Sequence, residues 1–455
     1  MDFVTGSVCN LESSFASVET VFPTTASITN WLREQAVWPV GCVLESTRLN
    51  RLWVGRDGRF TFELTLALSV EGRTEVYPLQ GGFGRSPDEA TPSTVARFSS
   101  IGLLGLRIEN PSLQLWCLSP DRDSELPLIE RLCANQDENQ WLLDTKAGNV
   151  LGLNGIHSDS PWPIRVTVAS YRIGKRCALR FRRKDQADRP GVFIKVFRRF
   201  PTAEQRLVVN SLARQLPDAS QGFLRVPEIL DVWEREKALV FREVATSASP
   251  LGHSSDDAHL AGETLAILHS IPLDPAARSH SPVDEWHTVA RWIRGLSFVQ
   301  ADPKLQESFA ELLQQLKQRA SLISGDAYIT VHRDYYASQL LRQDSTIWMV
   351  DFDTLGCGHP EVDMATFMAH LVLDECRAGN PCDSLKSAGF FVRSYLSRGG
   401  NFDWSRMQFY FACALCRLGA IHLARGLQEN IVKKLWMMAK GLLQDEQSIK
   451  DAVSI

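Results

Sequence analysis

Two short apolar runs, each ending in a carboxylate, constrain this chain more than any other feature. Tyr328-Ile329-Thr330-Val331 leads directly into His332-Arg333-Asp334, and Ile347-Trp348-Met349-Val350 leads directly into Asp351-Phe352-Asp353. Runs this short and this rich in β-branched and aromatic residues read as strands rather than helices. They sit within a mainly helical stretch. Leu260, Leu265, Leu268 and Ile271 suit one helix, Phe309, Leu312, Leu313 and Leu316 another, and Met407 to Leu443 supplies one or two more. A helical body with a small hairpin at its middle therefore presents acids at the edge of a core.

Upstream the pattern changes. The 455 residues allow two or three units, each burying its own core, and three regions separate. In the first, 1–160, Arg59 to Leu66 alternates and is followed by Glu71-Gly72-Arg73, an antiparallel hairpin; Leu128 to Leu132 reads as a helix. The stretch from Asn154 to Pro161 is turn-rich and reads as a linker. In the second, 161–246, strands at Val166 to Tyr171 and Cys177 to Phe181 flank the turn Ile173-Gly174-Lys175. The apolar run Val192-Phe193-Ile194-Lys195-Val196-Phe197 follows, then a helix from Thr202, then a strand from Leu239 to Val244. The third, 247–455, is the helical region.

Composition narrows the function. A formal net charge of -4 gives no general attraction to nucleic acid or to an anionic membrane. No segment has the length and apolarity of a membrane span. Met1 to Phe22 carries Asp2, Glu12 and Glu19 and lacks the basic head and apolar stretch of a secretory signal, so the expected location is the cytoplasm. Cys413 and Cys416 make the C-x-x-C of the chain on a helical stretch with no further ligands nearby; they read as reduced, buried thiols.

His332-Arg333-Asp334-Tyr335-Tyr336-Ala337-Ser338-Gln339 matches the protein-kinase catalytic loop H-R-D-x-x-x-x-N, with Gln339 in place of Asn. Met349-Val350-Asp351-Phe352-Asp353 matches the strand that delivers a metal-binding aspartate, and Gly358-His359-Pro360-Glu361-Val362-Asp363-Met364-Ala365 completes the set. In this order the three elements resemble the aminoglycoside-phosphotransferase family, which carries H-x-D, then D-(F/W)-(D/E), then G-x-P-x-x-D-(L/M)-A. Protein kinases carry D-F-G and A-P-E instead, which disfavours a protein kinase here. The resemblance implies an α+β chain: a bilobal protein-kinase-like fold with a β-rich small lobe and a mainly helical large lobe, preceded by an extra α+β N-terminal region. It also implies ATP and Mg²⁺ as cofactors and a small-molecule hydroxyl, on a sugar or amino sugar, as acceptor. Aminoglycosides and amino alcohols remain open as acceptors, and no oligomeric state is implied.

The implied roles follow phosphoryl-transfer chemistry, in which one carboxylate meets the attacking hydroxyl and another holds the metal against the phosphates. Asp334 takes the first role and Asp351 the second. Gln339 offers the amide oxygen of the usual Asn one methylene further out. Asp353 fits either a second metal contact or a structural acceptor, and Asp363 a brace of the catalytic loop. Lys195, in a V-F-I-K pattern close to V-A-I-K, would hold the α- and β-phosphates, with Glu204, the acid of the following helix, as its partner. The turn at Gly174 occupies the place of the nucleotide-covering loop with one glycine instead of three. The strand end at Glu243 and Val244 stands where backbone would contact adenine. His269, ending a helix in A-x-L-H form, reads as structural.

Gln80-Gly81-Gly82-Phe83-Gly84-Arg85 reads as a flexible turn, since no strand-to-helix spacing surrounds it. The first region is open to reading as a degenerate copy of the small lobe, because Gly58 to Leu64 and Gly174 to Arg180 share a turn-then-strand pattern. Capping the small lobe, building part of the acceptor pocket and mediating dimers all remain open for it. The competing class is a catalytically weak, kinase-like nucleotide-binding or regulatory protein, favoured by Gln339 and the single glycine.

Overall fold

The computed structural model describes residues 25–54, 60–70, 72–83, 93–98, 104–110, 115–120, 123, 125–133, 142, 144–153, 163–172, 174–186, 189–244, 247–252, 254–272, 274, 277–294, 303–323, 328–378, 384–423 and 429–444. The start of the chain, the expected linker at 154–161, and Arg59, Glu71, Gly84, Arg85 and Ile173 of the expected turns lie outside the described residues; Gln80, Gly81, Gly82 and Phe83, read as part of a flexible turn, are instead strand, paired with residues 115–118. The chain is α+β and divides into two compact units. One comprises Met1–Phe200 with Glu228–Thr246, the other Pro201–Pro227 with Ser247–Ile455.

The first unit holds two antiparallel sheets. Helix α1 (Thr25–Gln35) precedes strands β1 (Cys42–Val54), β2 (Phe60–Val70), β3 (Arg73–Phe83), β4 (Ser93–Phe98), β5 (Leu104–Asn110) and β6 (Leu115–Leu118), ordered β1-β2-β3-β6-β5-β4. Strict alternation on β2 buries Phe62, Leu64, Leu66 and Leu68, which form one core with Ile28 and Leu32 of α1. Short helices α2 (Pro127–Cys133) and α3 (Lys146–Val150) follow. The second sheet is built from β7 (Ile164–Arg172), β8 (Arg176–Arg183), β9 (Val192–Phe197), β10 (Ile229–Trp233) and β11 (Ala238–Arg242), ordered β10-β11-β9-β8-β7. In both sheets the third strand of a meander pairs with the last strand of the sheet, β3 with β6 and β9 with β11.

Residues of α2 and α3 do not form a core of their own. Leu128, Ile129, Leu132 and Ala147 share a cluster with Leu179, Phe181, Ile194 and Val196 of the second sheet. Sequence division at residue 160 thus runs between residues that exclude water together.

The second unit is mainly helical: α4 (Ala203–Ala219), α5 (Ser255–Ser270), α6 (Pro282–Arg294), α7 (Pro303–Leu322), α8 (Glu361–Ala378), α9 (Ser384–Ser397), α10 (Trp404–Leu423) and α11 (Glu429–Gln444). The stretch from Met407 to Leu443 resolves into two helices. A capping box of Thr202 and Gln205 starts α4 where the sequence places a helix start. Helices α5 and α9 meet closely at Gly262, where a Cβ would run into the Phe391 carbonyl and come within 2.9 Å of Ser394 Cβ. Cys413 and Cys416 are buried on α10, and burial pushes both thiols up, Cys416 to about 12.

Short strands lie among these helices; besides the two-residue strands Leu224–Arg225, Ser249–Pro250 and Ser279–His280, they are β12 (Ile329–Val331), β13 (Leu340–Gln343), β14 (Thr346–Met349) and β15 (Gly356–Gly358). The hairpin is β13–β14, while β12 pairs antiparallel with β15. Both apolar runs of the sequence are strands, each with its own partner.

Candidate active site

The segments after β12 and β14 are stitched together by hydrogen bonds. His332 is fully buried. The Asp334 amide donates to His332 Nδ1 (3.3 Å), so Nε2 carries the ring proton and donates to the Val350 carbonyl (3.0 Å). The Val350 amide in turn donates to the Gln339 carbonyl (2.9 Å), and Thr354 Oγ1 donates to the His332 carbonyl (2.8 Å). Val350 therefore binds both ends of the loop that carries Asp334 and stands directly before Asp351.

Two residues here hold left-handed backbone: Arg333 at φ 68° and Asp351 at φ 66°. Such conformations in non-glycine residues persist where the surroundings over-determine them. For Arg333 the determinant is Asp363, fully buried on α8. Its Oδ2 accepts from the His332 amide (2.7 Å) and its Oδ1 from the Arg333 amide (2.6 Å). His269 Nε2 lies 3.2 Å from Asp363 Oδ2 and its Nδ1 2.9 Å from the Tyr395 hydroxyl, a bracing position. Tyr335 ties the loop to α5, its hydroxyl donating to the Ala261 carbonyl (2.6 Å).

Asp334 and Asp351 are half-buried, Asp353 is exposed and Gln339 is buried. The Gln339 amide nitrogen donates to the Tyr336 hydroxyl (3.0 Å), and Tyr336 stacks on His370 with centroids 4.2 Å apart. That bond engages the amide nitrogen of Gln339 and not its amide oxygen. Carboxylate and amide oxygens suit Mg²⁺, which takes few protein ligands and relies on phosphates for the rest. No group of three or more His, Cys, Asp or Glu that could hold a metal ion occurs among the described residues.

A buried charge network that the sequence does not signal lies behind the loop. Glu285 on α6 is buried, 2.8 Å from His280 Nε2 and 3.8 Å from Arg417 Nη1. Burial alone would push its carboxyl up. Arg417, the His280 hydrogen bond and Arg333 outweigh that and hold it at about 2. The Arg333 guanidinium, pulled below its ordinary value by burial, reaches the Thr354 carbonyl (3.4 Å).

Other residues that the sequence singles out lie in the first unit. Lys195 is half-buried on β9, opposite Ala178 and Leu239, while its neighbours Ile194 and Val196 point into the core. The expected strand from Leu239 to Val244 ends at Arg242, and the buried Glu243 leaves it to pair with two part-exposed arginines. Its carboxylate accepts from Arg182 (2.8 and 2.6 Å) and the Gly191 amide (2.9 Å) and lies 2.5 Å from Arg180 Nε. The Glu243 amide is committed to the Gly191 carbonyl (3.1 Å), and Val244 beside it is half-buried. Gly174 takes φ 57° in the β7–β8 turn, and its amide donates to Asp123 Oδ2 (2.7 Å), a residue with no signal in the sequence. Glu204 belongs to the second unit, exposed in the first turn of α4; its own backbone amide and Thr202 hold its carboxyl below the usual value.

A profile described as the phosphotransferase enzyme family matches residues 178–410, a span that contains Lys195, Asp334, Gln339, Asp351 and Asp363. No curated protein matches the chain. Among solved structures, similar ones include a choline/ethanolamine kinase family protein from Mesorhizobium loti (16% identity, 68% of this chain and 96% of that chain, TM-score 0.44). Others are choline kinase from Cryptosporidium parvum (12% identity, 67% and 94%, TM-score 0.47) and macrolide 2'-phosphotransferase from Brachybacterium faecium (17% identity, 66% and 97%, TM-score 0.38).

Proposed function

Because the chain belongs to the phosphotransferase enzyme family, we propose that it transfers the γ-phosphoryl group of ATP to a hydroxyl of a small molecule, a sugar or amino sugar. Asp334 orients the acceptor hydroxyl and takes its proton as the new P–O bond forms. The Asp351 carboxylate and the Gln339 amide oxygen hold Mg²⁺, with Asp353 as a further contact. When bound, that ion neutralises charge on the phosphates. Lys195 fixes the α- and β-phosphates, the Gly174 turn covers them, and backbone at Glu243 and Val244 meets the adenine. Positioning and charge neutralisation provide most of the rate.

The observation that carries this reading is the double bond-making of Val350. Its carbonyl holds His332 and its amide holds Gln339, so the segments bearing the base and both metal donors are hydrogen-bonded as one piece.

A second reading, a kinase-like protein that binds nucleotide without fast turnover, is favoured by Gln339 in the Asn position and by the Gly174 amide already bound to Asp123. Mg-ATP consumption against sugars, amino sugars, aminoglycosides and amino alcohols separates the two. Turnover with one acceptor, reduced by roughly 10³-fold in Asp334→Ala while Mg-ATP still binds, is the expected result. Binding without turnover on any acceptor favours the second reading, and absence of Mg-ATP binding overturns both.

A further inference from the structure

The family match begins at residue 178, yet side chains from before residue 126 converge on one turn, that between β7 and β8. Asp123 is 4% exposed. Its Oδ2 accepts from the Gly174 amide (2.7 Å) and from the Tyr171 hydroxyl (3.0 Å), and its Oδ1 from the Glu125 amide (3.1 Å). Gln80, 2% exposed on β3, donates its amide to the Tyr171 carbonyl (2.8 Å). On the far side of the turn, the Lys175 carbonyl accepts from the Arg198 amide (2.8 Å), and the Arg198 guanidinium lies 2.8 Å from Glu125. One flank of the turn is thus held directly from the amino-terminal side, and the other by Arg198, whose exposed guanidinium pairs with Glu125.

We propose that the amino-terminal region is a brace for the nucleotide-covering turn, and that Asp123 is its positioning residue, presetting the turn for ATP by fixing the Gly174 amide. This rests on the reading of that turn as the one that covers the nucleotide phosphates. A two-stranded turn with a single glycine is free to flex when nothing holds it, and a flexing turn must be ordered by its ligand at the expense of affinity. The brace removes that cost before ATP arrives. It also takes the one glycine amide that would otherwise face a phosphate, so the turn acts as a shaped wall rather than as an amide cradle. Burial pushes the Asp123 carboxyl up against the hydrogen bonds that hold it down. Both bonds to the turn end on one oxygen, Oδ2, so the geometry asks for an acceptor oxygen there, whatever charge the side chain carries.

That distinction gives the test. Mg-ATP affinity is measured by calorimetry, KM and kcat by steady-state assay, and exchange of the Gly174 amide by hydrogen–deuterium exchange, all on the full chain. In Asp123→Ala the Gly174 amide exchanges faster, Mg-ATP binds about tenfold more weakly and KM rises with it, while kcat stays within about twofold. Asp123→Asn, which keeps an acceptor oxygen without the charge, restores binding to within about twofold. Unchanged Mg-ATP affinity in Asp123→Ala, or an Asp123→Asn as weak as Asp123→Ala, overturns the proposal. Should Asp123→Ala not fold, Tyr171→Phe removes one of Asp123's donors; a KM raised with kcat kept supports the brace, and an unchanged KM overturns it. If the unaltered protein binds no Mg-ATP, the kinase reading falls, and the brace is then judged on exchange alone: equal Gly174 exchange with and without Asp123 overturns it.

Discussion

Asp363 Oδ1 lies 2.6 Å from the backbone nitrogen of Arg333, the residue that carries the chain into Asp334 at φ 68°. A left-handed arginine costs about 1–3 kcal/mol, and a charge-assisted bond of this kind returns about 1.5–3 kcal/mol. The carboxylate thus keeps the loop in a shape it would otherwise leave. Asp363→Ala is expected to lower kcat by roughly 10²-fold with little change in the KM for ATP, and to lower the thermal midpoint, because two buried amides lose their acceptor. Steady-state kinetics and a melting curve check both; an unchanged kcat would assign Asp363 to packing alone.

Gln339 is expected to act on the metal rather than on the acceptor. Gln339→Ala should raise the Mg²⁺ concentration for half-maximal rate by roughly tenfold while leaving the acceptor KM in place. Tyr336→Phe removes the hydroxyl that orients the Gln339 amide (3.0 Å) and should shift the same titration in the same direction by less. Manganese binding followed by electron paramagnetic resonance in the presence of nucleotide gives a readout independent of turnover.

Glu285 makes acid stability informative. Its folded value, about 2, lies below its ordinary 4.5. The stability it contributes is fully present above the ordinary carboxylate value and is lost as pH falls through about 2. That loss amounts to on the order of 3 kcal/mol. Denaturation measured from about pH 5 to about pH 2 should show this decline. Glu285→Gln should flatten it while destabilising the protein at neutral pH through unpaired Arg333 and Arg417. An equal acid slope in both proteins would place the titrating group elsewhere.

Two glycines of the helical unit should respond in opposite directions. Gly262→Ala places a methyl against the Phe391 backbone between α5 and α9, which is expected to cost about 1–3 kcal/mol. On α11, a Cβ added at Gly441 would meet open space, with nothing within 4 Å. Gly441→Ala should therefore gain up to about 1 kcal/mol of helix propensity. Urea midpoints of the two variants measure the contrast.

Local chemistry was legible wherever period and punctuation coincide. Val192–Phe197 is a strand with the bounds its apolar run suggests, because alternation and the flanking turns agree. The same holds for the start of α4 at its capping box. What escaped is long-range. β12 pairs with β15, whose Gly-Cys-Gly sequence carries no strand signature. Asp123 and Glu285 sit in no motif: Asp123 meets Gly174 51 residues away, and Glu285, besides its neighbour His280, is paired with Arg417 on α10. The end of β11 at Arg242 was hidden for a related reason. Glu243 stands between the apolar run and Val244 in sequence but is drawn aside by two arginines from β8.

The cluster that joins α2 and α3 to the second sheet also sets an order of events at the ribosome. Leu128, Ile129 and Leu132 emerge before the strands that cover them, and β9 waits for β11, which follows the excursion through α4 into the other unit. At ordinary synthesis rates the apolar faces of α2 and α3 stand open for on the order of ten seconds before Ala238–Arg242 arrives. The first unit therefore matures only after part of its neighbour has been made, and a nascent chain stalled before that strand is exposed to aggregation.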